Sequence, residues 1–503
     1  MAEALVAGQP TTPEPDERED DQATGFSLRG ALRLLLATGS GKAGVALFVL
    51  MIGLSVYVLV TYPLRFGEER WSNPAIWADN PKAAPPAWTS WVGDDAFEHT
   101  TLTQGEPAEV RRVPQGEGRI FRFPISISDE VPSFVSLTMT GVTFNGARPP
   151  SVIVTLTRPD GGVVGLANPP ISGPRSGETA PFRRFYDSPD RILITEQDIA
   201  GDRLQQTYQQ IYPDAPLPAN LDDRLAEGLF GMPAEDGAIV PLAGDYSLDV
   251  QVFVSDSNDE VNDLEAVLGG TVYGVMGTDA LGRDLFEGLL YGFPVALLIA
   301  ALAAVMSTII GASLGILSGY AGGATDATIQ RLSDIISNIP TLPLLIYLVF
   351  LLGSHLYLII LVLVAFSWPG LTILVRSMVL QIRSGQLVEA ARAIGASRTR
   401  IMVRHIFPQV APFIVAQMIF FAPGAILAEA SLSFLGLGDP SIPTWGQMLE
   451  QGFRTGALYV GYWWWVIPPG VLIVFTALAF MLLALAMEPI VDPRLRQTGG
   501  GSV

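Results

Sequence analysis

The side chains that could do chemistry fall in four short stretches. Glu389–Pro408 (EAARAIGASRTRIMVRHIFP) sets Arg392, Arg398, Arg400 and Arg404 against a single acid, Glu389. Gly277–Asp284 (GTDALGRD) crowds Asp279, Arg283 and Asp284 into one glycine-rich loop. Glu429 stands alone near the end of a long apolar run, and Gly39–Lys42 reads GSGK. The last is no phosphate-binding loop: Leu36 and Ala43 occupy the positions that need Gly and Ser or Thr. The Asp279 loop lacks the later Glu of a calcium-binding EF-hand. With no cysteine in the chain, thiol catalysis, disulfides and zinc–thiolate sites are excluded, and with three histidines no His-based metal site is expected. No Ser/His/Asp constellation forms, so neither catalysis nor a resident metal or cofactor is expected.

The elements around these stretches are of two materials. Of 503 residues 49% are hydrophobic and the mean hydropathy is +0.38, yet the net charge is −19; a membrane bundle carrying a soluble domain reconciles these values. Residues 1–25 are polar and acidic and read as a disordered tail. Residues 26–43 read as an amphipathic helix on the inner leaflet, with Arg29 and Arg33 at the headgroups. Gly44–Pro63 is free of charge, and about 20 residues at roughly 1.5 Å each cross a bilayer. Further spans are expected at Pro294–Ser318, Leu342–Leu352, Leu356–Val375, Val410–Leu432 and Pro468–Met487, with Gly319–Pro340 as an inner loop. Arginine-rich loops mark the cytoplasmic side, so both termini and the 382–409 loop belong inside. In that loop the sequence predicts a helix of small residues, a turn at Gly395 and a second helix over 397–405 that stops before Pro408. Composition alone also allows a basic loop that only fixes topology. Trp463–Trp465 with Tyr462 read as an aromatic belt at the outer interface. Glu429 is either a functional group facing a water-filled path or an interfacial acid held by backbone donors.

Residues 66–270 alternate with period two. Phe121, Phe123, Ile125 and Ile127 form one such set, Val152, Val154 and Leu156 a second, and Tyr246, Leu248, Val250, Val252 and Val254 a third. These predict strands of an antiparallel sandwich, with helical excursions at 197–212 and 221–229. About thirty acids against about fourteen bases suit an outside domain. Three roles stay open for it: a scaffold at the outer mouth, a dock for a solute-binding protein, or direct ligand or glycan binding.

The order Glu389-Ala390-Ala391, then Gly395, Ile406 and Pro408, resembles the EAA loop of ABC importer permeases, with Phe407 where that family usually has Leu. Gly277–Asp284 followed by Tyr291-Gly292 resembles the oligopeptide/dipeptide branch of those permeases, as do Glu429–Gly438, Pro443–Leu449 and the ending Asp492-Pro493-Arg494-Leu495-Arg496. Glu287-Gly288 and Phe293-Pro294 depart from that branch, and 66–270 lies outside the resemblance. What the resemblance implies is an α-helical membrane protein of six transmembrane helices with the type I ABC importer permease fold, to which the alternation at 66–270 adds an inserted extracellular β-rich, sandwich-like domain. The implied division is a tail (1–25), an inner-leaflet helix (26–43), a first span (44–65), the β-rich domain (66–270), a permease core (271–496) and a tail (497–503). The implied function is alternating access for peptides delivered by a solute-binding protein. Nickel chelates or oligosaccharides are alternative cargoes, and a secondary transporter or membrane sensor the alternative classes. Implied partners are two ATP-hydrolysing subunits, which hold ATP and Mg, a second, non-identical permease, and the bilayer; no nucleic acid is expected. Glu389, Ala390, Ala391, Arg392, Gly395, Ala396 and Pro408 carry coupling in this reading. Glu429, Trp445, Asp279, Arg283 and Asp284 line the outer gate or substrate path.

Overall fold

The computed structural model describes residues 36–491 apart from 94, 95, 115, 219 and 222. The expected acidic tail, most of the inner-leaflet helix, the Asp492–Arg496 ending and the final tail lie outside the described residues. The chain divides into two compact units. One takes the chain through Tyr57, Phe293–Gly438 and the stretch from Leu472; the other takes Val58–Gly292 and Asp439–Val471. The second unit is therefore wider than the expected 66–270 domain.

The first unit is helical. Five helices are long and apolar enough to cross a membrane: α1 (Gly39–Thr61), α4 (Leu285–Ala321), α7 (Leu356–Arg383), α10 (Phe407–Phe434), which continues the turns from Arg398, and α13 (Trp463–Val491). α5 (Gly323–Ser337) and α6 (Thr341–Leu352) pass that test only as a pair, bent by 75° at the break between them. Most of the expected inner loop 319–340 is thus the helix α5. Gly322 and Gly323, at φ +67° and +55°, make the turn that the sequence signals, and helix resumes directly. Gly39–Lys42 likewise forms the first turn of α1 rather than a loop, with Gly41 N–H donating to Thr38 Oγ1 at 3.0 Å. Pro294 and Pro369 sit inside helices, where the apolar run outweighs the missing N–H.

α4 and α7 pack closely because of a glycine stripe. A Cβ on Gly311, Gly315 or Gly319 would stand 2.9 Å from Trp368 O, 2.8 Å from Thr372 O and 2.7 Å from Val379 Cβ. Thr372 Oγ1 donates across the helices to Gly311 O at 3.1 Å. Without a hydrophobic driving force in lipid, close backbone approach of this kind is what holds helices together.

The second unit holds two five-stranded antiparallel sheets. The first runs β1 (Thr100–Gln104), β12 (Glu260–Leu268), β4 (Val135–Phe144), with β7 (Phe182–Arg184) and β8 (Asp190–Leu193) both on β4. The second runs β2 (Glu109–Val113), β3 (Gly116–Ile127), β11 (Gly244–Val254), β5 (Ser151–Thr157), β6 (Val163–Ala167). The short β9 (Gly231–Pro233) and β10 (Ile239–Pro241) pair separately. Inward residues of both sheets share one core, and the three alternating sets read from the sequence all lie in it. α2 (Asp198–Ile211) contributes Leu204 and Tyr208 to the same core, and α3 (Leu225–Phe230) adds Leu229 and Phe230. Arg158, with its side chain fully buried, pins α3: it donates to the carbonyls of Gly228, Leu229 and Gly231 and pairs with Asp160 at 2.8 Å. Desolvation works against the Arg158 charge, but Asp160 outweighs it and raises its pKa.

Candidate coupling loop and buried loop cluster

In the 382–409 stretch, α8 (Gln386–Ala393) ends where Ala396 N–H bonds Ala391 O and Gly395 N–H bonds Arg392 O, both at 3.0 Å. This is the double bond of a glycine-terminated helix, and Gly395 supplies the left-handed φ of +83° that it needs. Ser397 then caps α9 (Arg398–Ile401) through Arg400 N–H. The inner side of the turn is locked. Val388, Ala391, Ile401 and Ile406 join Val375, Val379, Val410 and Ile414 in one buried cluster. Glu389, Ala390, Arg392, Gly395 and Pro408 are exposed, with Leu387 and Ile394 among them, while Ala396 is half-buried. Ala391 therefore faces its own bundle and anchors the loop, unlike its exposed neighbour Ala390. The second helix does not stop before Pro408. A π-turn over Met402–Ile406 joins α9 to α10, and Pro408 sits in the first turn of α10, where an N–H is not required. The Gln409 side-chain amide donates to His405 O at 2.6 Å.

A pair that the sequence reading did not single out braces this region. Asp326 of α5 receives Nε and Nη2 of Arg376 of α7, both at 2.6 Å, and also the Ser318 hydroxyl. Arg383 donates to Gly319 O at 3.1 Å. The GxxxGxxxG spacing at 311–319 was a readable sign of the contact beneath it. Glu429, in α10, is buried, and its carboxylate accepts from Ser433 Oγ at 2.6 Å one turn on.

In the second unit, Asp279 and Arg283 lie together but inward. Asp279 accepts from the N–H groups of Leu281 and Arg283 and pairs with Arg283 Nε at 2.5 Å. The Arg283 guanidinium stacks 4.3 Å over Trp71 and also donates to Gln451. Gly282, at φ +79°, lets this turn close against Trp77 O and Asn80 O. Trp445 opens α11 (Trp445–Arg454), donates to Leu289 O at 3.0 Å and fills the space over Gly292. Asp279, Arg283 and Trp445 are all buried, and their side chains close a cluster of loops. Asp284, half-buried, accepts from Phe286 N–H at the start of α4. Burial, with the Glu287 charge adding, pushes its carboxyl up to about 6.

The two departures at 287 and 288 have a structural partner. Glu287 holds Arg70 through two hydrogen bonds of 2.7 and 2.8 Å, and Gly288 leaves room for the Trp71 ring. Asp79 ties the same loops to the sheets by accepting from Arg191 Nε at 2.6 Å and Ser136 Oγ at 2.8 Å. The belt expected at 463–465 is also revised. Trp464 and Trp465 are buried, Trp464 donating to Thr278 O, and only Trp463 stays partly exposed. No group of three or more His, Cys, Asp or Glu side chains able to hold a metal occurs among the described residues.

Residues 311–497 match the family described as binding-protein-dependent transport system inner membrane component. The chain is 36% identical to the dipeptide transport system permease protein DppC of Bacillus subtilis, over 44% of this chain and 69% of that protein. It is 34% identical to the oligopeptide transport system permease protein OppC of the same organism, over 44% and 72%. OppC of Haemophilus influenzae gives 35%, over 44% and 71%. Among solved structures, an inward-facing MetNI methionine ABC transporter chain aligns with a TM-score of 0.34 at 21% identity, over 42% of this chain and 97% of that one. With relatives of this identity matched over more than two thirds of their length, the chain belongs to the binding-protein-dependent transport system inner membrane components and is a multi-pass membrane permease.

Proposed function

We propose that the chain is one of two non-identical permease subunits of an ATP-driven importer with the type I permease fold. Its cargo is di- and oligopeptides handed over by an extracellular solute-binding protein. The observation that carries this is the 386–406 turn. Its inner side is locked into the bundle, while Leu387, Glu389, Ala390, Arg392 and Ile394 are offered outward. A rigid, exposed, basic knob of this kind suits the cleft of an ATP-hydrolysing subunit, which holds ATP and Mg. The names of the dipeptide and oligopeptide relatives support the cargo.

The α5–α6 pair counts as one crossing in this reading. Arg29 and Arg33 precede α1, Lys42 lies in its first turn, and the Arg-rich turn follows α7. The positive-inside rule puts both groups in the cytoplasm only if the bent pair crosses between them. Six crossings then leave both termini inside and residues 66–270 outside. Closure of two ATPase subunits displaces the turn, and the bundle alternates between inward- and outward-open states. ATP drives that shift only as far as the ATPase subunits bind the two states differently. Glu429 is the group proposed to face the path. Asp279, Arg283, Asp284 and Trp445 serve the outer gate by holding its loops.

Purification from the native host in mild detergent, with co-purifying chains identified by mass, tests this. Two ATPase subunits and a second permease are expected. A chain that emerges alone or as a self-oligomer, and binds no added ATPase subunit, would overturn the coupling role of 386–406.

A further inference from the structure

The second unit contains the ends of three apolar helices, namely residues 58–61 of α1, 285–292 of α4 and 463–471 of α13. It also carries an exposed aromatic surface that the folding of its own core does not use. The one-turn 3₁₀ segment Ala87–Trp91 puts Trp88 and Trp91, three residues apart, on one face. Trp91 is 86% exposed and the following Val92 88%. Trp88 donates its indole N–H to Val275 O at 2.9 Å and sets its ring, tilted by 56°, 5.6 Å from that of Trp463, the first residue of α13. The segment just before Trp463, α12 (Ala457–Val460), is bounded by Gly456 and Gly461, both left-handed. It turns Tyr459 outward to 90% exposure, with Leu458 and Val460 also exposed.

Exposed single apolar residues need no explanation, but two tryptophans, a tyrosine and several aliphatics in adjoining turns do. The occupant follows from two properties. First, the segments are free of charge: residues 83–93 and 455–487 contain no Asp, Glu, Lys or Arg, in a unit otherwise rich in acids. A docking rim for a soluble protein is polar and carries charge. Second, the surface is continuous with α13, whose first residue, Trp463, lies two positions beyond the last glycine of the 456–461 loop. Rings with an apolar body and a polar N–H or O–H, at the mouth of a span, partition to the headgroup layer of a bilayer.

We propose that Trp88 and Trp91, with Tyr459 and Trp463, form an aromatic footing that rests in the headgroup layer of the outer leaflet. The inserted region thereby stands on the lipid through its own 87–92 turn as well as through the spans. Buried Trp464 and Trp465 take no part in it. The inference rests on the reading that α13 crosses the bilayer.

The chain has no cysteine, so single cysteines report one site each. Nitroxide labels are placed at Trp91→Cys and Tyr459→Cys, at Val110→Cys on the exposed edge strand β2, and at Val474→Cys on an exposed face of α13. The complete transporter is reconstituted in lipid nanodiscs, and label accessibility to oxygen and to a water-soluble nickel chelate is measured. Positions 91 and 459 are expected to show an oxygen-to-nickel ratio several-fold above that of position 110 and below that of 474. A ratio equal to that of 110, with 474 still lipid-like, overturns the footing and leaves the span intact. Exclusion of both reagents at 91 and 459 overturns it in favour of a protein partner. A water-like 474 overturns the footing and the span reading together.

Discussion

Gly395 is the residue on which the coupling turn depends. Its φ of +83° and the two hydrogen bonds that close α8 need its own N–H and a left-handed backbone. Proline can supply neither, since its ring fixes φ near −65° and removes the donor. A Cβ there meets no neighbour, so the constraint is conformational and not steric. Gly395→Pro is expected to insert and assemble in the membrane but to lose substrate-stimulated ATPase activity; normal stimulation would count against the coupling role. Asp284 gives a second residue-scale prediction. Burial raises its carboxyl from 3.8 to about 6, so the folded chain binds this proton more tightly than the unfolded chain. Its stabilising contribution is complete below about 3.8 and is lost as pH rises through about 6. Asp284→Asn keeps the side-chain oxygen that caps α4 without acquiring charge. The variant's apparent Tm should gain on wild type as pH rises from about 4 to about 7. A difference flat across that window would show that Asp284 ionises as an ordinary carboxylate.

At the scale of elements, the contact between α4 and α7 is set by what is missing from Gly311, Gly315 and Gly319. A leucine at 315 would drive side-chain atoms into Thr372 O and Val375, both already 2.8 Å from a bare Cβ. Overpacking of this kind typically costs about 1–3 kcal/mol. It should also loosen Asp326 of α5 from Arg376 of α7, because Asp326 is tied to the end of α4 through the Ser318 hydroxyl. Gly315→Leu is therefore expected to lower the apparent Tm of the purified complex and the yield of assembled transporter, whereas Gly370→Ala, at an open position, should change neither. The stripe was readable in the sequence as GxxxGxxxG. Its partner was not, since nothing in residues 368–379 announces which helix they face. The sheets show the same division. Alternation at 121–127, 152–156 and 246–254 gave both the strands and their buried faces, because one-sided burial writes itself into every second residue. The pairing of β11 between β3 and β5, from far apart in sequence, left no such mark.

The whole molecule turns on how many times the chain crosses the membrane. If the bent α5–α6 pair is one crossing, the sheets lie outside and the basic turn inside. A cysteine at Asp187, exposed on the sheet-bearing unit, should react with a membrane-impermeant maleimide in intact cells. A cysteine at Ser397 should react only after permeabilisation. Reaction at both sites from outside would make α5–α6 a re-entrant loop and reverse the side of the basic turn.

By itself the sequence determined the apolar runs, the arginine-rich turn between them and the alternating strands. Each of these is local: a run, a spacing or a composition that one segment carries alone. Only the tertiary structure decided which side chains the helices and loops turn inward. Asp279 and Arg283 stand far from Trp445 in the sequence, and the fold buries them in one loop cluster because Gln451, Trp71 and Leu289 reach them from remote parts of the chain. Trp464 and Trp465 read as a belt, but Thr278 and Gly452 bury them, and the exposed rings come instead from 88, 91 and 459. Ala391 and Ala390 are adjacent and identical in sequence, and the 3.6-residue turn of one short helix sends the first into the bundle and the second to the surface.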